Sequence, residues 1–310
     1  MMTPHFPSRN FYINSLAPTP LVSVQLDPTD PPIWCKLEFL NPSGSTKDRI
    51  ARYILEKAWR EGRLRPGDVV IEASSGSTSI AMALAAAQLG LRFIAVMPAT
   101  VSSERLHMIR GFGGETHLIS SGGIHEAIRE TERLAAELKG FLPRQFANPD
   151  NARAHQYGTA REVLDQIPGG AVDAVVCGVG TGGTLVGLME GCRDGGCPVT
   201  PVLARPVHIT STPEVECCSF SSKIPGVMDC ISSIFQPESI PNLISLEIRD
   251  DEALATTRRL IAAGFPVGPS SGLNFTAALR AAREHLPPDA AIVTVFPDRM
   301  ERYFSTGLFD

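Results

Sequence analysis

The sequence contains no apolar run long enough to cross a bilayer. Its most apolar window, residues 79–98, is interrupted by Gln88, Gly90 and Arg92 and reads as a helix followed by a strand. The N-terminal stretch "MMTPHFPSRNFYINS" places prolines and polar groups where an export signal needs a continuous apolar run, so the expected location is the cytoplasm. Excess positive charge is missing as well. With 28 Lys and Arg against 33 Asp and Glu the net charge is -5, which leaves no electrostatic footprint for nucleic acid or an anionic membrane. Paired cysteine spacings are also lacking. The seven cysteines (Cys35, Cys177, Cys192, Cys197, Cys217, Cys218, Cys230) form no Cys-x-x-Cys pair and have no histidine cluster beside them. Reduced, mostly buried thiols are therefore favoured over a disulfide framework or a zinc site, and no metal is expected.

What remains is an ordinary globular composition, 43% hydrophobic and 20% charged over 310 residues. That is long enough for two domains with a large core, and it makes small-molecule chemistry the default. From about Leu37 onward, short β-rich runs alternate with helical patterns. "DVVIEA" reads as a strand, "IAMALAAAQLG" as a helix, "RFIAVMP" as a strand, "SSERLHMIRGFG" as a helix, "ETHLI" as a strand and "IHEAIRETERLAAELKG" as a helix. Further on, "DAVVCGVG" and "VTPVLARP" read as strands flanking the helix "GTLVGLMEGC". This order predicts an α/β fold with mostly parallel sheets flanked by helices. Gly90, Gly140 and Gly264 stand just past helical runs, where left-handed C-caps belong. Residues 209–244 blur every period, and read equally as a lid or as irregular packing.

Three loops carry chemistry. In "NPSGSTKDRIARYILEKAW" (Asn41 to Trp59), the Ser45-x-x-Asp48 spacing marks a helix start, which puts Lys47 in the first turn. The helix dipole and unpaired N–H groups repel a cation there, so the amine should lose its proton more readily than usual. Such a lysine is either a solvated surface group or an amine wanted neutral for a Schiff base. In "EASSGSTSIAMA" (Glu72 to Ala83), Ser74, Ser75, Ser77 and Thr78 surround a helix N-terminus suited to a carboxylate, or serve it as turn and cap residues. In "CGVGTGGTLVG" (Cys177 to Gly187), Gly178, Gly180, Gly182 and Gly183 let the main chain close around a phosphate, with Thr181 and Thr184 adding hydroxyls.

The last loop also matches Gly-x-Gly-x-x-Gly, but a dinucleotide site needs an acid about 20 residues on to hold the ribose. The following strand ends in Ala204, Arg205 and Pro206. A dinucleotide also leaves Lys47 and the serine-rich loop without a role. Pyridoxal phosphate carrying an amino acid uses all three: its aldehyde needs a neutral lysine, its phosphate a glycine-rich nest, and the substrate carboxylate a second anion site.

Nearly the whole length resembles the fold-type II pyridoxal-phosphate enzymes of the cysteine synthase and cystathionine β-synthase family. The resemblance rests on "PTPLV", "CKLEFLNPSGSTKDRIA", "SSGSTSIA", "QFANPDNARAHQYGTAREV", "GVGTGGTLVG", "GPSSGLN" and "FPDRMERYFST", in that order. It implies a tryptophan synthase β-like α/β architecture of two domains: residues 41–148 as a smaller mobile domain carrying the carboxylate loop, and residues 1–40 with 149–310 as a larger phosphate-binding domain. It implies that Lys47 holds the cofactor and serves as acid and base at Cα. Gly180, Thr181, Gly182, Gly183 and Thr184 would bind the phosphate, and Ser74, Ser75, Gly76, Thr78 and Gln145 the substrate carboxylate. The family reaction replaces the leaving group on Cβ of a serine derivative by a nucleophile, commonly sulfide, and its members are usually homodimers.

Departures from the family pattern bear on detail. Ser77 stands where the family has Asn at the cofactor's 3′-oxygen, and Ser79 replaces a Gly. The C-terminal Pro-Ser-Ser-Gly-Glu-Arg-Tyr pattern becomes Pro297 to Tyr303 without the serine that faces the pyridine nitrogen. Asp298 there would favour a protonated ring and Arg299 an unprotonated one, or both side chains point elsewhere. His155 reads as a hydrogen-bonded structural histidine and Cys177 as a buried thiol. The expected activity is β-replacement on O-acetylserine or O-phosphoserine. β-Elimination of the cysteine desulfhydrase or serine/threonine dehydratase type, 2,3-diaminopropionate synthesis, and a non-catalytic binding module are the alternatives.

Overall fold

The structure is a computed structural model that describes residues 16–208, 223–227 and 231–309. It divides into two compact units, one of Pro18–Leu40 with residues 152–309, the other of Asn41–Asn151 with residues 16–17. The larger unit opens with β1 (Leu21–Val24) and β2 (Ile33–Lys36), an antiparallel pair in register from Leu21 opposite Lys36 to Val24 opposite Ile33.

The smaller unit follows in the order α1 (Lys47–Arg60), β3 (Val69–Ala73), α2 (Ser77–Leu89), β4 (Arg92–Pro98), α3 (Ser103–Gly111), β5 (Glu115–Ile119) and α4 (Gly123–Leu138). Its three strands are parallel in the order β3-β4-β5, and Phe141 extends the sheet by a parallel bridge to Val70. Phe93 to Pro98 is buried without alternation, as a parallel strand covered on both faces should be. Ala81, Ala83, Ala85 and Ala86 of α2 are buried, and this helix packs against both α1 and α3 in the apolar core of the unit.

Two of the expected caps hold and one does not. Gly90 (φ 66°) follows α2 in the left-handed conformation, and Gly264 has φ 94°. After α4 the left-handed residue is Lys139, not Gly140. Gly140 is needed for another reason: a β-carbon there would stand 2.7 Å from Cδ1 of Ile71 on β3.

The boundary with the larger unit falls after Asn151, three residues beyond position 148, because Asp150 and Asn151 bond backward. Both carboxylate oxygens of Asp150 accept from Lys57 Nζ at 2.8 Å, and Asn151 Nδ2 donates to the Gln145 carbonyl at 2.8 Å. From here α5 (Asp150–Ala154) passes through a wide five-residue turn at His155–Thr159 into α6 (Ala160–Gln166). Then come β6 (Ala174–Gly178), α7 (Gly183–Asp194), β7 (Thr200–Val207), β8 (Ile244–Arg249), α8 (Asp250–Ala262), α9 (Pro269–Glu284) and β9 (Ile292–Val295). The sheet order is β1-β2-β9-β6-β7-β8, parallel except for β1. On one side of β6 the order runs on to β7 and β8, and on the other it jumps to β9. In open α/β sheets ligands collect outside the carboxyl end of such a strand, and β6 ends at Gly178, directly before the glycine-rich loop.

Among the described residues no helix is long and apolar enough to cross a membrane. Cys35, Cys177, Cys192 and Cys197 are free thiols, the first three buried, whereas Cys217, Cys218 and Cys230 lie outside the described residues. Burial pushes the Cys35 thiol well up and the Cys192 thiol up to about 12, which makes both inert. Of the stretch 209–244 read from sequence as a lid or irregular packing, residues 209–222 and 228–230 also lie outside the described part.

Candidate active site

Lys47 is the first residue of α1 and half-buried. The turn before it is built by Asp48, though not as the expected capping pair. The Asp48 carboxylate turns back to Ser43, accepting from its N–H at 2.9 Å and from its hydroxyl, while Ser45 Oγ receives the Lys47 N–H at 3.3 Å. Gly44 (φ 82°) closes the turn through its N–H to the Asn41 carbonyl at 2.7 Å. The Thr46 hydroxyl, beside Lys47 in the chain, is buried without a hydrogen-bond partner among the described residues.

The serine-rich loop joins β3 to α2. Its N-cap is Gly76, which offers no side-chain oxygen, and the first turn of α2 contains no acid. Ser74 takes over the capping: its hydroxyl pairs with Ser79 Oγ at 2.6 Å and accepts the N–H groups of Gly76 at 3.1 Å and Ser79 at 3.2 Å. Of the expected carboxylate ligands, Ser74 thus has a structural occupation, while Ser75 and Ser77 are half-buried at the helix mouth. Thr78 Oγ1 donates to Gln145 Oε1 at 2.6 Å, and Gln145 Nε2 donates to the Ala73 carbonyl at 2.6 Å. Two of the expected residues, far apart in sequence, therefore meet. A β-carbon on Gly76 (φ 145°) would overlap Cδ of the buried Arg105, which lies over the loop.

Sequence reasoning missed Glu72. It is buried at the end of β3, with Oε1 receiving the Ala73 N–H at 2.9 Å and Oε2 the Gln145 N–H at 3.1 Å. Burial pushes its carboxyl up to about 8, against the lowering effect of N–H groups from Gln145, Ala73 and Arg144 and of the Arg144 charge. An acid standing just before the serine run was the only signal available.

In the larger unit, β6 delivers the chain into the glycine loop. Gly178 N–H donates to Asn274 Oδ1 at 2.7 Å, and Asn274 Nδ2 in turn donates to the Val295 carbonyl at 2.8 Å, which pins the strand end between α9 and β9. Asn274, in the matched stretch "GPSSGLN", had been given no role. A β-carbon on Gly180 would overlap the Gly226 carbonyl oxygen, and one on Gly182 (φ 79°) would overlap the Phe235 side chain. Ser232 Oγ donates to the Thr181 carbonyl at 2.6 Å. His155 is buried, its ring bonded to Thr159 Oγ1 at 2.9 Å and to Thr184 Oγ1 at 3.3 Å. The histidine therefore braces a nest residue, which agrees with its structural reading.

Asp298 Oδ2 accepts from the Tyr303 hydroxyl at 2.8 Å, with Gly268 close against the carboxylate. Arg299 pairs with Glu301 at 2.6 Å. Both side chains that the resemblance places near the ring nitrogen therefore have a protein partner, Tyr303 for Asp298 and Glu301 for Arg299.

The donor set suits pyridoxal phosphate. Like α2, α7 starts from a glycine N-cap with no acid in its first turn, a start that suits an anion, with Thr181 Oγ1 accepting the Gly183 N–H at 3.4 Å. Two acid-free helix starts suit anions such as a phosphate and a carboxylate, and Lys47 at the start of α1 carries an amine. Comparison with known proteins agrees. Residues 14–298 match the family model described as pyridoxal-phosphate dependent enzyme. A cysteine synthase of Staphylococcus aureus is 35% identical over 298 residues, 94% of each chain. The O-ureido-L-serine synthase of Streptomyces lavendulae is 35% identical over 317 residues, covering 98% of this chain and 94% of its own. The crystal structure of an O-acetylserine dependent cystathionine β-synthase from Helicobacter pylori has a TM-score of 0.87 at 30% identity, covering 97% of this chain and 99% of its own.

Proposed function

The chain belongs to the pyridoxal-phosphate-dependent enzyme family, and from that premise we propose that it replaces the β-substituent of an O-activated L-serine, O-acetylserine or O-phosphoserine, by sulfide or a similar nucleophile. When bound, pyridoxal phosphate supplies an aldehyde for the substrate amine and an electron-withdrawing ring that acidifies the substrate Cα. The chain's own residues do the rest. Lys47 supplies the amine that holds the cofactor and moves the proton at Cα, a task its place at a helix start suits by favouring the neutral form. The main chain of Gly180 to Thr184, with the Thr181 and Thr184 hydroxyls, holds the phosphate. The helix mouth at Ser75, Gly76, Ser77 and Thr78, with Gln145, holds the α-carboxylate, and Ser74 shapes that mouth by capping α2.

The observation that carries this reading is the Thr78–Gln145 bond at the acid-free start of α2, which sets an amide and a hydroxyl beside the first turn of that helix. The similar proteins add to it: cysteine and O-ureidoserine are both alanine skeletons carrying a new β-substituent. Equal identity to a cysteine synthase and to an O-ureido-L-serine synthase also favours a second reading, in which the nucleophile is not sulfide. The test supplies O-acetyl-L-serine with and without sulfide, and with and without hydroxyurea. A β-substituted amino acid formed only with a nucleophile supports replacement. Pyruvate at equal rates in all mixtures would instead make the protein an eliminating lyase. Lys47→Ala should lose turnover and the yellow colour of the bound cofactor together.

A further inference from the structure

The turn carrying Gln145 is folded around an internal carboxyl site, and that site is filled by Glu72. Arg144 is one of three described non-glycine residues with positive φ (55°). A left-handed residue turns successive main-chain N–H groups to one side, which makes a nest for an oxyanion. Here the Gln145 N–H donates to the Glu72 carboxyl at 3.1 Å and the Ala73 N–H to its other oxygen at 2.9 Å, and the Arg144 N–H and charge act on the same carboxyl, favouring its ionised form. Glu72 therefore holds the main chain of the residue that reaches Thr78. From Gln145 the chain of bonds continues through Oε1 to Thr78 Oγ1 and through Nε2 back to the Ala73 carbonyl, so the loop Glu72-Ala73-Gln145-Thr78 closes on itself. Asn151 Nδ2 grips the Gln145 carbonyl at 2.8 Å from the far side. Glu72, Thr78 and Gln145 are all nearly fully buried, so no solvent replaces a lost partner.

The geometry points to Glu72 as a positioning residue for the substrate carboxylate: it fixes the Arg144–Gln145 turn and so aims the Gln145 amide and the Thr78 end of α2. The inference rests on the reading that Thr78 and Gln145 hold that carboxylate. Glu72 touches no reacting atom and moves no proton of the substrate. Its neighbour Arg144 holds a left-handed backbone that L-residues seldom adopt.

The experiment uses the holoenzyme and two probes without a β leaving group, L-alanine and L-alaninamide, titrated by the absorbance change of the bound cofactor. Glu72→Gln keeps the volume and sets an NH2 donor against a main-chain donor. It should weaken L-alanine about tenfold, leave L-alaninamide within twofold, and raise KM with kcat nearly unchanged. Equal weakening of both probes, or no weakening, overturns the inference. Gln145→Ala separates the two levels of the argument: if it leaves L-alanine binding unchanged, the carboxylate reading fails and takes this inference with it. If it weakens L-alanine and Glu72→Gln does not, the inference alone fails. Should Glu72→Gln not fold, Glu72→Asp withdraws the carboxyl by one methylene and gives the same comparison.

Discussion

Thr78 Oγ1 donates to Gln145 Oε1 across 2.6 Å, joining the first turn of α2 to a turn 67 residues later. Both side chains are nearly fully buried. Thr78→Val keeps the shape and removes the hydroxyl, leaving the Gln145 oxygen without its donor. The cost of one buried partner is about 1–3 kcal/mol. Steady-state kinetics should show KM for the amino-acid substrate rising about tenfold, with kcat much less affected.

Gly180 has no room for a side chain, since a β-carbon would meet the carbonyl oxygen of Gly226, a main-chain atom that cannot rotate away. Gly180→Ala should therefore displace the nest and yield protein with little bound cofactor, read as the ratio of cofactor to protein absorbance. Gly111, at the end of α3, has nothing within 4 Å of such a carbon. Gly111→Ala should keep full cofactor content, and a normal ratio for Gly180→Ala would contradict the crowding argument.

The buried Thr46 hydroxyl has no partner among the described residues. Thr46→Val removes the unsatisfied group at nearly constant volume, so the protein should gain about 1–3 kcal/mol, the usual cost of such a group. Thermal melting of the cofactor-free protein measures it; an unchanged or lower Tm would show that the hydroxyl is satisfied.

Glu72 also sets a pH dependence. Burial raises its carboxyl to about 8 in the folded protein, from the ordinary carboxyl value of 4.5. Between these values the folded chain keeps a proton that the unfolded chain has lost, so the folded state binds more protons and its contribution to stability falls as pH rises. The loss runs from about pH 4.5 to 8 and is flat above, on the order of a few kcal/mol. Urea midpoints of the wild type and Glu72→Gln across this range should diverge, the variant lacking the decline.

Much of the fold was legible because it is written in local pattern. "RFIAVMP" and "ETHLI" correspond residue for residue to β4 and β5, since a parallel strand buried on both faces is apolar along its length and an edge strand is short and mixed. The helix starts at α2 and α7 were equally clear, because glycine and hydroxyl residues at a strand end have few other uses. Gly140 was misread for the opposite reason: its need for space comes from Ile71 on a neighbouring strand. Asp48 was misread because the serine nearer in sequence, Ser45 three residues before it, matches the capping spacing, whereas the turn at Gly44 brings Ser43, five residues before it, to donate to the carboxylate. The order of the larger sheet, with the last strand β9 between β2 and β6, has no trace in the order of the chain.

By itself the sequence determined which groups are on offer: an amine at the head of α1, and two helix starts stripped of acids and rich in N–H donors. These depend on neighbours a few residues away, and local sterics and hydrogen bonding settle them. Tertiary structure decided how the groups are held. Glu72 meets Gln145 across 73 positions and Gly178 meets Asn274 across 96, and it turned Asp298 toward Tyr303. Such pairings follow from which burial satisfies the most polar groups at once, a condition on the whole packed chain that no short stretch of it carries.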